Sequence, residues 1–310
     1  MAMLKYVVLD FDGTCTLVDR ALSDQFLTRY RDFVFAEPCL HGLDLRAAWD
    51  RTEAFVRAQS PRLAWRLGVW ETCPAAPDPF ILASATAELM LEEQGLLDIV
   101  AVPAADGQSA VKLRDRMYHW YGDAYAACEA APRPELTQVL TGLLDLGLTV
   151  RFVSNSGQGK VQAYLNRHLP AEVMAQVQVF GDARKFCVRV ATTQGEQLPL
   201  FQAMPSQETL VDLPRPVLLK RGSYFDVLQG RVWQERDAPE RTLVCGDIYE
   251  LDLAMPAWLG SHVHLVQRPE PFRTHDYELA AVRSHARGGT SPDLMGLLER
   301  ARSCVAVPAR

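Results

Sequence analysis

Apolar residues along the chain change their period twice, and the changes divide it into three stretches. Tyr6 to Leu9 is a continuous apolar run that stops at Asp10-Phe11-Asp12-Gly13-Thr14, the pattern of a buried parallel strand running into a loop. From about Ser23 to Glu129 the period is helical: Phe26, Tyr30 and Phe33 share one face, as do Ala47, Ala48 and Phe55, then Ile81, Leu82, Ala85 and Leu89. This block reads as all-helical, with the proline-rich Cys73 to Pro79 separating two helices.

Past Pro132 and Pro134 helices and strands alternate. Glu135 to Leu146 predicts a helix closed by Gly147, and Leu148 to Val153 a strand. A helix at about Lys160–His168 and a strand at Val177–Phe180 follow. Residues 186–219 suggest a hairpin excursion. Tyr224–Leu228 starts a helix, Arg241–Cys245 is a strand, and Val263–Val266 is another. The forty or so residues after Val266 carry no assignment. Alternation of this kind predicts an α/β fold with a doubly wound parallel sheet. The expected division is a core of residues 1–18 and 133–310 interrupted by a helical insertion at 19–132.

Composition narrows the class. The 310 residues are 48% hydrophobic and 23% charged, as in ordinary globular proteins. Lys and Arg total 32 against 38 Asp and Glu, a net charge of −6, so no nucleic-acid partner is expected. No uninterrupted apolar stretch reaches membrane-spanning length, and the first residues lack a signal-peptide pattern, so neither membrane nor export is expected. Seven dispersed cysteines without a Cys-x-x-Cys pair suit free thiols in the cytoplasm.

Chemistry concentrates at strand ends, where open α/β sheets bind ligands. Asp10 and Asp12 repel each other there, and a divalent cation stabilises such a pair. Oxygen donors suit Mg²⁺. Asp10 is a candidate ligand and nucleophile, and Asp12 a candidate proton donor. The bland alternative is an Asp-Gly turn with two solvated acids. Gly246-Asp247 follows another apolar strand, with Asp252 five residues on and Glu250 as its competitor. Ser154-Asn155 at a third strand end is either a phosphate site or a helix cap. A lysine is expected to neutralise a phosphoryl group. Lys220, which opens a helix ahead of Asp247, is preferred over Lys185. His262 with His264, Cys15 and the tryptophans of the helical block are read as structural.

Asp10-x-Asp12-Gly13-Thr14, Ser154, Lys220 and Gly246-Asp247-x4-Asp252 resemble the four ordered motifs of the haloacid dehalogenase superfamily. The resemblance covers 1–18 and roughly 133–310. It implies a Rossmann-like core with an inserted cap that sets substrate choice. It implies Asp10 as nucleophile, Asp12 as general acid and base, and Lys220 and Ser154 on the phosphoryl group, with Asn155, Gly13 and Thr14 beside it. Mg²⁺ would be held by Asp10, Asp12 and Asp247, with Asp252 one shell further out. The acid at Asp12 matches phosphohydrolases and phosphomutases, whereas dehalogenases lack it. The expected activity is hydrolysis of a small phosphorylated metabolite through an aspartyl-phosphate. A phosphomutase, or a non-catalytic binding protein of the same fold, is the alternative.

Overall fold

A computed structural model describes residues 3–101, 111–233, 235 and 238–306. Its centre is a six-stranded parallel sheet: β1 (Tyr6–Leu9), β2 (Thr149–Val153), β3 (Gln178–Phe180), β4 (Thr242–Gly246), β5 (His262–Val266) and β6 (Gly288–Ser291), in the order β3-β2-β1-β4-β5-β6. The order reverses at β1, which pairs with β2 on one side and β4 on the other, so Leu9 faces both Phe152 and Cys245. Such a switch point opens a crevice beyond the strand ends.

Period-2 alternation explains why β1 is apolar throughout. Val7 and Leu9 pack on one face with Val150, Phe152, Leu140 and Leu298. Tyr6 and Val8 pack on the other with Val244, Val263, Phe225 and Leu253. Both faces are covered, so no polar position is tolerated until the strand ends at Asp10.

Between β1 and β2 the chain builds a lobe whose described residues include the helices α1 (Arg20–Phe35), α2 (Leu45–Gln59), α3 (Pro79–Glu93) and α4 (Leu113–Ala126). Asp19, Asp44 and Asp78 cap the first three, each accepting a backbone N–H of the first turn, and Pro79 opens α3 where no donor is needed. Their shared core contains Phe26, Tyr30, Trp49, Phe80, Met90 and Trp120. The chain enters and leaves through one antiparallel pair, Thr16 opposite Pro132 and Leu17 opposite Ala131.

The block is not all-helical as its pattern suggested. Ala64–Leu67 and Trp70–Pro74 form a β-hairpin, and Val100–Ala101 pairs with Val111–Lys112. The hairpin is too short for its alternation to stand out between two amphipathic helices. The excursion expected at 186–219 as a hairpin contains a helix, Leu198–Ala203, and only a two-residue pair, Gln207–Glu208 with Val217–Leu218. It returns to grip the lobe. Arg221, completely buried, donates to the carbonyls of Leu218, Phe186 and Thr72, the last in the lobe hairpin. Arg215 donates to Pro61 O at 3.1 Å and pairs with Glu250. The unassigned tail supplies helix Asp276–Ser284, strand β6 and helix Met295–Val305, completing the sheet and its cover. Among the described residues no helix is long and apolar enough to cross a membrane.

Candidate active site

Three strand ends at the switch point deliver acidic and hydroxyl side chains to one place. Asp10 follows β1, with its N–H on Cys245 O at 2.9 Å, so its position is set by the sheet. Asp247 follows β4. Asp10, Asp247 and Asp252 each offer an oxygen within 4.8 Å of the others, and all three are buried. Thr14 Oγ1 lies 3.2 Å from Asp10 Oδ2 and 3.3 Å from Asp247 Oδ1, linking the two.

Close approach requires glycine at two positions. Gly13 has φ +79, and a Cβ there would lie 2.4 Å from Asp247 Oδ2. A Cβ on Gly246 would lie 2.3 Å from the Asp252 side chain. Asp252 also accepts Ile248 N–H at 3.1 Å, which turns its carboxylate back toward the strand end.

The lysine at this site is Lys185, not Lys220. Lys185 Nζ donates to Asp10 Oδ1 at 2.7 Å and to Asp252 Oδ1 at 2.8 Å, with 1% of the residue exposed. Lys220 Nζ instead donates to the carbonyls of Phe201 and Gln202, at the end of the short excursion helix. The helix that Lys220 opens ahead of Asp247 favoured it, but the excursion carries it away to the carbonyls of Phe201 and Gln202. Lys185 comes off the loop that directly follows β3, so the strand-end rule that located Asp10 and Asp247 also locates it. The loop is strained into place: Asp182 and Arg184 have φ +53 and +46, and Asp182 and Ala183 donate to the carbonyls of Ser156 and Ser154. Asn155 Oδ1 accepts Lys185 N–H at 2.7 Å, so Asn155 fixes the lysine's backbone.

Ser154 is buried at the end of β2, and its Oγ accepts Ser156 N–H at 3.0 Å. Gly13 and Thr14 do not stand as free phosphate donors. Gly13 N–H goes to Thr16 Oγ1 at 3.1 Å, and the Thr14 hydroxyl goes to the carboxylates.

Asp12 is not in the carboxylate cluster, contrary to its expected place among the metal ligands. One oxygen accepts Tyr125 Oη–H at 2.7 Å and the other Ser156 Oγ–H at 2.5 Å. Its carboxylate is instead taken up by the lobe and the loop after β2, through Tyr125 of α4 and Ser156. Tyr125, from α4, is a site residue that sequence reasoning missed. It was one aromatic in a helix rich in them, and only the docked lobe brings its hydroxyl to Asp12.

Electrostatics follow from burying acids together. Burial raises the Asp10 carboxyl to about 7; Lys185 opposes the rise and Asp252 adds to it. Burial likewise pushes Asp247 well above the usual carboxylate range, opposed by Arg268. Arg268 donates to the Asp247 carbonyl and pairs with the buried Glu278, so it orients the loop rather than bonding the carboxylate. Burial would depress the Lys185 ammonium, but Asp10 and Asp252 overturn this and hold it above its ordinary value. Burial raises Asp12, and the Ser156 and Tyr125 hydrogen bonds pull it back. Three buried carboxylates to one ammonium leave an excess of negative charge, with hard oxygen donors, which fits a divalent cation between Asp10 and Asp247.

The residues set aside as structural are so placed. Cys15 is buried, and its Sγ–H donates to Asp10 O at 3.2 Å. Burial pushes its thiol far from the reactive range. His264 is buried against Ser291 Oγ at 2.7 Å, and His262 lies near Cys304.

A cavity of about 340 Å³ joins these groups to the lobe, reaching from Asp10 and Ser154 to α3, α4 and the hairpin.

No family model and no curated protein matches the chain. Solved structures do. The chain is similar to a haloacid dehalogenase-like family hydrolase from Xanthomonas campestris (13% identity, 98% of this chain and 93% of that one, TM-score 0.47). It is also similar to the HAD-hydrolase YfnB of Bacillus subtilis in a structure bound to magnesium (12%, 97% and 100%, 0.49). A third is a predicted phosphoglycolate phosphatase from Haemophilus somnus 129pt (11%, 96% and 98%, 0.49).

Proposed function

We propose that the protein is a Mg²⁺-dependent phosphohydrolase acting on a small phosphate monoester, with residues 19–132 as its cap and residues 1–18 and 133–310 as its catalytic core. The observation that carries this is Lys185 Nζ between Asp10 and Asp252, with Asp247 in the same carboxylate cluster and Ser154 at the next strand end. Asp10 and Ser154 line the cavity and Lys185 bonds Asp10, so a nucleophilic carboxylate, a hydroxyl and a buried cation come together in an arrangement suited to a phosphoryl group.

Mg²⁺ held by Asp10 and Asp247 would supply charge neutralisation to the phosphoryl oxygens. Lys185 spends two of its three N–H donors on Asp10 and Asp252, and the third serves a phosphoryl oxygen. Ser154 offers its hydroxyl proton to another. An Asp10 oxygen attacks phosphorus as the ester P–O bond breaks, and Asp12 gives its proton to the departing alkoxide oxygen. Asp12, then ionised, takes a proton from water, which attacks the aspartyl-phosphate, breaks the bond to Asp10 and releases phosphate. Tyr125 and Ser156 hold Asp12 in the orientation needed for both transfers.

The test is release of inorganic phosphate from an aryl phosphate with and without Mg²⁺. Release that requires the ion, and drops below a hundredth in Asp10→Asn, is the expected result. Retention of a tenth of the rate in that variant overturns the covalent scheme, and halide release from a haloacid by the native protein overturns the phosphoester reading.

A further inference from the structure

The cavity beyond the reacting groups has a composition that restricts the organic half of the substrate. Its aromatic walls begin at the catalytic residues themselves. Phe186 is the chain neighbour of Lys185 and meets Trp65 of the lobe hairpin edge-on, ring centroids 5.8 Å apart. Tyr125, also lining the cavity and with its hydroxyl committed to Asp12, stacks on Tyr121 at 5.7 Å and meets Phe80 at 5.3 Å. Aromatic side chains therefore line the cavity beside the phosphoryl pocket.

The charges farther out are already matched. Arg66 pairs with Glu92, and Arg114 faces Asp98 at 3.8 Å. Glu88, another lining residue, adds a further carboxylate beside both arginines. Asp78 is also acidic, and its Oδ1 is held by Ile81 N–H at 2.7 Å as the cap of α3. Among the described lining residues, no cation outside the phosphoryl pocket lacks a carboxylate partner. A second anionic group on the substrate would meet acids and matched ion pairs, and its desolvation would go uncompensated. A volume of about 340 Å³ lies at the small end of ligand pockets, so the organic half is of one- or two-ring size.

We propose that the substrate is the phosphate monoester of a flat, apolar or aromatic alcohol with no second anionic group, its ring held between the Trp65–Phe186 pair and the Tyr121–Tyr125 pair. This rests on the phosphohydrolase reading above and specifies its substrate class. Trp65 and Phe186 are the specificity-determining residues, since neither has a hydrogen-bonding role at the reacting groups.

The experiment compares kcat/KM for 2-phenylethyl phosphate, glycerol 3-phosphate and phosphoglycolate, three esters of alkyl alcohols, so that differences report binding more than leaving-group chemistry. Burial of one ring predicts a preference of roughly ten- to a hundredfold for phenylethyl over glycerol phosphate, with phosphoglycolate poorest. In Trp65→Leu and Phe186→Leu the ratio between the first two should fall toward one, chiefly through KM for the aromatic ester. Equal or better use of phosphoglycolate overturns the proposal, as does a ratio unmoved by both substitutions. Binding of benzylphosphonate against phosphonoacetate, measured by calorimetry, separates this from the activity assignment. Tighter benzylphosphonate binding without turnover of any ester supports the pocket and refutes the phosphohydrolase. Tighter phosphonoacetate binding refutes the pocket whatever the activity.

Discussion

Replacing Lys185 with Met removes the single ammonium that two buried carboxylates share. Nζ lies 2.7 Å from Asp10 and 2.8 Å from Asp252, and water does not reach it. Met matches the stem of the side chain, so packing around Tyr224, whose ring lies 5.3 Å from Nζ, is nearly preserved and the charge is what changes. Leaving a buried charge without its partner costs about 3–5 kcal/mol in metal-free protein. The sign with pH is definite. Lys185 is held above its ordinary value in the folded state, so its contribution is complete below that value and constant through neutral pH. Without it, Asp10 escapes its uncompensated burial by taking up a proton, so the deficit is largest at pH 8 and shrinks toward pH 5. Lys220→Met removes bonds to two backbone carbonyls at a partly exposed site and should cost about 1 kcal/mol, independent of pH in this range. Urea unfolding of both variants at pH 5, 6.5 and 8 in EDTA measures this directly. Phosphatase assays should show a loss of several orders of magnitude for Lys185→Met and little for Lys220→Met. Equal small losses in both variants, or a Lys185→Met deficit that grows as pH falls, would refute the reasoning.

Other outcomes follow from the same geometry. Asp12→Asn should cost about 10²–10⁴-fold with alkyl phosphates and much less in the first step with a nitrophenyl leaving group, which needs no proton; equal losses in burst kinetics would remove Asp12 from the acid role. Asp247→Asn should shift the midpoint of a Mg²⁺ activation titration upward by tenfold or more, and an unmoved midpoint would exclude it as a ligand. The metal-free protein should itself lose stability as pH rises from 5 to 8. Asp10 has a folded value of about 7, above its unfolded one, so its contribution is full below the unfolded value and disappears through 7. Thermal melts in EDTA should show this decline, and Mg²⁺ should abolish it. Gly13→Ala should destabilise the fold and abolish activity, since its Cβ would stand 2.4 Å from Asp247 Oδ2 at a left-handed φ; a folded, active variant would show that the loop has another course.

Much of the core was legible because its signals are local. Tyr6–Leu9 is apolar at every position since both sheet faces are covered, and the abrupt change at Asp10 marks where cover ends. Gly147, with φ +74, closes its helix as an isolated residue can. Strand β6 was not legible: Gly288-Gly289-Thr290-Ser291 has almost no intrinsic strand preference and exists as a strand because β5 offers it a ladder. The lobe hairpin around Gly68 was hidden in the same way between helical patterns.

The acids of the site belong to the first kind, the lysine to the second. Asp10, Asp247 and Ser154 each end an apolar strand, and strand ends in a parallel sheet converge by construction. That much the sequence determined alone. Lys185 and Lys220 are both cations near apolar runs, and the helix that Lys220 opens ahead of Asp247 pointed to Lys220. Only the tertiary fold decided between them, because the loop after β3, locked by Asn155 and the Ser154–Ser156 carbonyls, turns Lys185 inward, while the excursion carries Lys220 away to the carbonyls of Phe201 and Gln202. Tyr125 reaches Asp12 for the same reason: a contact between residues far apart in the chain is created by docking two packed bodies, and no local periodicity encodes it.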